Sequence, residues 1–275
     1  MKIRNASNEK FDIIIVAGQS NALGCGNGKT KTPWVPNENI VMFNERFTAE
    51  FITTTYGDLL EIETTGDCYL TIADEREENG EKRGVFALAF AKKYVENNLE
   101  KGRKLLLVQT AIGGTGFARG HWGENERLEK RMFEMVDSAL SMNKENRIVG
   151  VLWHQGEHDI FRNADFDYDE RYSYYKQKLT NLLLRIRAKY GEVPFVSGSF
   201  CKGWISEQKV ENVKAIKDVY SYVLSTYDKV NHVWNTDDLK SNSEMVEGNG
   251  DNIHFSRDAC YELGRRYYEK FNEIM

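Results

Sequence analysis

F-D-I-I-I-V-A-G-Q-S-N-A-L-G, residues 11–24, decides the fold. Its first seven residues form a short apolar run rich in β-branched side chains, which reads as a strand buried on both faces, and the small and polar residues after it end the strand in a loop. The same pattern recurs at 39–43, 104–110, 148–154, 194–200 and 232–235. Between these runs, amphipathic segments predict helices over 85–98, 124–142, 169–190, 207–227 and 257–273. In the third, Tyr172, Tyr175, Leu179, Leu182 and Ile186 share one face, and Ser256 is placed to cap the last. Strands buried on both faces and joined by helices imply a parallel sheet with right-handed crossovers. The expected fold class is α/β, a three-layer α/β/α sandwich around a central parallel sheet of about five strands.

The 275 residues (31.8 kDa) lie near the upper limit for one hydrophobic core. A composition of 41% hydrophobic and 29% charged residues with only three prolines is that of a globular protein and excludes global disorder. No linker or internal repeat divides the chain, so one domain over 1–275 is expected. Its exception is 48–83, where TTT, ETT and DEREENGEKR follow no clear period and read as a loop-rich excursion over one end of the sheet. Thirty-seven Lys and Arg against 42 Asp and Glu leave a net charge of −5 and a pI near 5.7, which give no general attraction to nucleic acid or anionic membranes. Cys25, Cys68, Cys201 and Cys260 are scattered without a CxxC pair, so neither a zinc cluster nor a disulfide framework is indicated. The longest apolar runs, such as 85–91, are too short to span a bilayer, and residues 1–10 resemble no export signal. A cytoplasmic location is expected, although a trimmed export signal would leave the same residues.

Reactive residues of an open parallel sheet gather at the carboxyl ends of its strands. Three short motifs fall there: Gly18-Gln19-Ser20-Asn21, Gly113-Gly114-Thr115 and Gln155-Gly156-Glu157. A fourth, Asp251-Asn252-Ile253-His254, precedes the last helix. A serine becomes a nucleophile when a base removes its proton and donors stabilise the oxyanion formed on attack. Ser20 on its tight turn, His254 as imidazole and Asp251 as the acid that fixes the tautomer supply those parts. The oxyanion donors would be the N–H of Ser20, an N–H of the Gly113-Gly114 turn and the side-chain amide of Gln155. Each motif alone is common; their conjunction at one end of one sheet is not.

V-A-G-Q-S-N-A-L-G at 16–24, A-I-G-G-T-G at 111–116, W-H-Q-G-E at 153–157 and D-N-I-H-F at 251–255, in that order, resemble the conserved blocks of the SGNH hydrolases. More closely they are similar to the branch with sialic-acid-specific acetylesterases and the acetylxylan esterases of carbohydrate esterase family 6. The resemblance covers 11 to about 270 and implies a flavodoxin-like hydrolase that removes O-acetyl groups from sugars without a cofactor or metal. Carried over by position, it makes Ser20 the nucleophile, His254 the base, Asp251 the orienting acid and Gln155 the side-chain oxyanion donor, with the backbone donor at Gly113 or Gly114. Gln155 departs from the asparagine of the wider superfamily and agrees with this branch. Asn21 would buttress the nucleophile turn. Glu157 is the alternative acid, Asp251 being favoured on proximity.

Two other readings compete. His154-Gln155-Gly156-Glu157-His158 fits the H-x-x-E-H pattern of a zinc hydrolase, which requires a helix where a buried strand is predicted. A noncatalytic carbohydrate-binding protein on the same scaffold would keep a sugar contact without turnover. Trp122, beside Gly120-His121, and Arg119 are the chosen sugar contacts.

Overall fold

The structure, a computed structural model, describes residues 6–54, 57–163 and 165–275. In chain order its elements are β1 (Phe11–Gly18), α1 (Ser20–Leu23), β2 (Ile40–Thr54), β3 (Gly57–Ile72), β4 (Arg76–Glu78), β5 (Glu81–Arg83), α2 (Phe86–Asn97), β6 (Lys104–Gln109), α3 (Arg127–Ser141), β7 (Arg147–His154), α4 (Glu157–Phe161), α5 (Tyr168–Tyr190), β8 (Phe195–Gly198), α6 (Lys202–Ile205), α7 (Val210–Thr226), β9 (Val230–Val233), α8 (Asn242–Met245) and α9 (Arg257–Asn272).

The apolar run at 11–17 becomes the central strand. Phe11, Ile13, Ile15 and Ala17 pack into one core with residues of α3, α5 and α7, whereas Ile14 and Val16 face a second core with α2 and α9. The same alternation places Leu106 and Val108 of β6 on the first face, and Leu105 and Leu107 on the second. That period of two is the origin of the three layers. Each fully buried aliphatic side chain contributes roughly 1.5–3 kcal/mol relative to exposure. In the helix on the first face, Tyr175, Leu179, Leu182 and Ile186 are buried as their spacing predicts, and Ser256 caps α9 by accepting from the Ala259 N–H.

The sheet has seven strands in the order β3-β2-β6-β1-β7-β8-β9, not five. All neighbours pair in parallel except β2 and β3. The difference comes from 48–83. Apart from 55–56, which lie outside the described residues, this segment is mostly extended rather than loop-rich: β2 and β3 pair antiparallel from Val41↔Ile72 to Thr54↔Gly57, and β4 pairs with β5. β2 meets β6 only from Ile40↔Leu105 to Phe43↔Val108, so the rest of the hairpin runs on past the carboxyl end of β6. Residues 47–54 and 57–64 pair with each other past the end of β6. Among the described residues, no helix is long and apolar enough to cross a membrane.

Because β1 lies between β6 and β7, the loops after these three strands converge. The chain passes from β1 to one side of the sheet, returns to β6, then crosses to β7, so the convergence point is a topological switch of the kind that creates a crevice.

Candidate active site

The turn that carries Ser20 depends on Gly18. It ends β1 opposite His154 with φ +125°, and a Cβ there would fall 2.1 Å from the His154 carbonyl oxygen. Glycine alone permits that approach. The Gln19 N–H then donates to the His154 carbonyl (2.9 Å), and the Gln19 carbonyl accepts from Ala22 and Leu23, which turns the chain into α1. Ser20 is the first residue of that helix, so its own N–H has no intrahelical acceptor.

His254 reaches Ser20 from the loop before α9. Its Nε2 is 2.7 Å from Ser20 Oγ and its Nδ1 is 2.8 Å from Asp251 Oδ2. Asp251 also accepts from the His254 N–H (3.2 Å) and from Asn242 Nδ2 (2.8 Å). Burial pushes the Asp251 carboxyl up, but the bonds from His254 and Asn242 outweigh it and hold the group below its ordinary value. Asn242 further donates to the Cys25 carbonyl and accepts from the Asn27 N–H. It ties Asp251 to the segment after α1 and was not found in the sequence, where it is one more polar residue of a loop.

Of the two carboxylates left open by the spacing, Asp251 is the one on the imidazole. Glu157 is fully buried at the start of α4. It accepts from Asn21 Nδ2 (2.7 Å) and lies 3.4 Å from His154 Nε2. The latter contact falls short of hydrogen-bond geometry. Asn21 also donates to the Ile253 carbonyl (3.1 Å) and accepts from the Phe255 N–H (3.2 Å), which ties the turn after β1 to the His254 loop.

Gly113 is the glycine beside Ser20: a Cβ built on it would lie 3.6 Å from Ser20 Cβ. Gly114 is exposed at φ +70° and forms the turn. Gln155 is fully buried. Its Nε2 donates to Asp159 Oδ2 (2.7 Å) and approaches Gln19 Oε1 and the Thr115 carbonyl (both 3.3 Å), while its Oε1 accepts from Tyr175 (3.0 Å). Asp159 and Gln19 were missed by the sequence reading. The usable signal for Asp159 was its position four residues after Gln155, on a segment read as loop.

Two expectations change. Trp122 is fully buried, edge-on to Trp153 at 5.2 Å, and donates from Nε1 to Thr115 Oγ1 (3.1 Å), so it braces the glycine loop from the core and cannot stack on a sugar. Arg119 is exposed on that loop with φ +79°. For the zinc reading, His154 ends β7 whereas His158 lies on α4, so the two do not share a helical turn. Among the described residues, no group of three His, Cys, Asp or Glu side chains could hold a metal.

Residues 10–273 match the family described as carbohydrate esterase, sialic acid-specific acetylesterase. No curated protein sequence matches the chain. Among solved structures, NanS is similar with a TM-score of 0.68 and 18% identity over 97% of this chain and 98% of its own. A protein from Arabidopsis thaliana gives 0.62 and 19% over 95% and 98%. A carbohydrate acetylesterase from Xanthomonas citri gives 0.56 and 14% over 96% of this chain and 56% of its own. At such identities the structural likeness is one of fold, and it is the fold of SGNH hydrolase-like proteins. With the family profile spanning almost every residue, the chain belongs to the carbohydrate esterase, sialic acid-specific acetylesterase family and is a carboxylic ester hydrolase.

Proposed function

We propose that this chain is a serine esterase that removes O-acetyl groups from sugars through an acetyl-serine intermediate. The observation that carries the reading is the unbroken hydrogen-bonded chain from Asp251 through His254 to Ser20, at 2.8 and 2.7 Å. A carboxylate on Nδ1 holds the neutral imidazole in the tautomer with its proton there. Nε2 then presents a lone pair to the Ser20 hydroxyl and takes its proton as Oγ attacks the acetyl carbonyl. The N–H groups of Ser20 and Gly113 receive the oxyanion, with the Gln155 amide as third donor. His254 next protonates the departing sugar oxygen, and water hydrolyses the acetyl-serine by the same relay. Arg119, exposed on the loop that carries Gly113, is the proposed sugar contact. The family description makes acetylated sialic acid the first substrate to try, beside acetylated xylo-oligosaccharides.

Acetate release from both substrates, by wild type and by a folded Ser20→Ala variant, tests this. Release by wild type and near-silence in the variant is expected. Equal release by both would place the nucleophile elsewhere.

A further inference from the structure

Asp159, on α4, is 3% exposed and has no part in the mechanism above. Its Oδ2 accepts from Gln155 Nε2 (2.7 Å) and from the Phe117 N–H (3.0 Å), and its Oδ1 accepts from the Ala118 N–H (2.7 Å). One carboxylate therefore joins the loop that carries Gly113 to the side chain of Gln155. Gly116 lies against this junction. A Cβ there would fall 2.2 Å from Asp159 Oδ2 and 2.8 Å from Gln155 Nε2, so the loop closes on the carboxylate only because the position is glycine.

The Gln155 amide is held at both ends, which fixes its orientation: Tyr175 donates to Oε1, and Nε2 faces acceptors only. Of its two amide hydrogens, one makes the short bond to the carboxylate. The other is shared between the Gln19 side chain and the Thr115 carbonyl at 3.3 Å, long bonds that an oxyanion can replace. Gln19 is the residue before Ser20, so this second hydrogen points toward the nucleophile turn.

We propose that Asp159 is a positioning residue of the oxyanion site: by taking one Gln155 hydrogen and clamping the 117–118 backbone, it aims the other Gln155 hydrogen and fixes the glycine loop in one register. This rests on Gln155 being an oxyanion donor. Burial pushes the Asp159 carboxyl up to about 6 against the bonds from Ala118, Gln155 and Phe117, so it is an ionised acceptor at neutral pH and loses an acceptor when protonated below that. The titratable and charged groups around it are His158 on its own helix, His121 on the clamped loop, Arg171, Tyr174 and Tyr175 on α5, and Tyr220 on α7.

The test is a double-mutant cycle in kcat and KM with Asp159→Asn, Gln155→Ala and the pair. Asn sets an amide N–H₂ against groups that are themselves donors. Gln155→Ala is expected to lower kcat about 10²–10³-fold. Asp159→Asn should lower kcat about 10–100-fold with KM within about twofold, and by less than about threefold where Gln155 is already alanine. An equal cost in both backgrounds, or no cost in wild type, overturns the proposal. A normal rate for Gln155→Ala beside an impaired Asp159→Asn sinks the oxyanion assignment on which it rests. If Asp159→Asn does not fold, Asp159→Glu takes its place in the same cycle: it keeps the carboxylate but displaces it by one methylene, so it should lower kcat in wild type and cost less than about threefold where Gln155 is already alanine. An equal cost in both backgrounds, or none in wild type, overturns the proposal.

Discussion

Asn21 and Glu157, 136 residues apart in the chain, are joined by a buried hydrogen bond of 2.7 Å from Nδ2 to Oε1. Through it the residue after Ser20 is anchored to the residue that opens α4, and the remaining bonds of Asn21 reach the loop of His254. Burial pushes the Glu157 carboxyl up, but its contacts with His154 and Asn21 hold it below its ordinary value. Glu157 is thus a structural anion beneath the site, and the carboxylate on His254 is that of Asp251.

The two carboxylates should therefore separate on substitution. Asp251→Asn is expected to lower turnover about 10³–10⁴-fold, because the imidazole loses its tautomer, with little change in melting temperature. Glu157→Gln should keep turnover within about tenfold while costing about 1–3 kcal/mol of stability, since an amide N–H₂ replaces an acceptor beside Asn21. Paired kinetics and thermal melts check this, and the reverse ranking would restore Glu157 as the acid.

Trp122 should behave as a core residue. Trp122→Ala is expected to destabilise the fold by about 3–5 kcal/mol through cavity formation. Trp122→Phe, which fills most of the space, should retain KM for the acetylated sugar within about twofold. A large rise in KM without loss of stability, read from the same preparations, would make it a sugar contact after all.

Acid stability follows from buried imidazoles. Burial, reinforced by Arg119 and Arg162, pushes His121 down to about 4. Burial, with His121 and the same two arginines, takes His158 to about 3. Burial, with His154 and Lys217, holds His232 well below its ordinary value. Below pH about 6.5 the unfolded chain binds protons at these three positions and the folded chain does not, so the unfolded state holds more protons and stability falls as the pH drops toward about 4. Asp159, raised to about 6, acts in the opposite sense between about 6 and 4, but it is one group against three. Urea midpoints measured from pH about 7 to about 5 should decline, and less steeply in His158→Gln; a midpoint that rises on acidification contradicts this assignment.

The layered sheet was legible because parallel strands buried on both faces must be apolar along their whole length. The runs at 11–17, 104–110 and 148–154 therefore gave β1, β6 and β7 nearly to the residue. The β2–β3 hairpin was not legible, because its strands pair mainly with each other and the apolar period at 48–83 is weak. The grouping of Ser20, His254 and Asp251 was legible from chemistry, since these residue types occur at the ends of elements that the topology brings together. Asp251 was favoured over Glu157 on proximity alone, whereas the core position of Trp122 and the involvement of Asp159 and Asn242 were not legible.

The sequence by itself determined the order of strands and helices, the converging loops and the residue types available there, because periodicity and turn chemistry are local properties carried by neighbouring residues. Only the tertiary structure decided which carboxylate meets the imidazole, which glycine adjoins Ser20 and which aromatic faces the core. Those outcomes depend on distances and burial between positions up to 234 residues apart, as between Ser20 and His254, and no local pattern encodes such a distance.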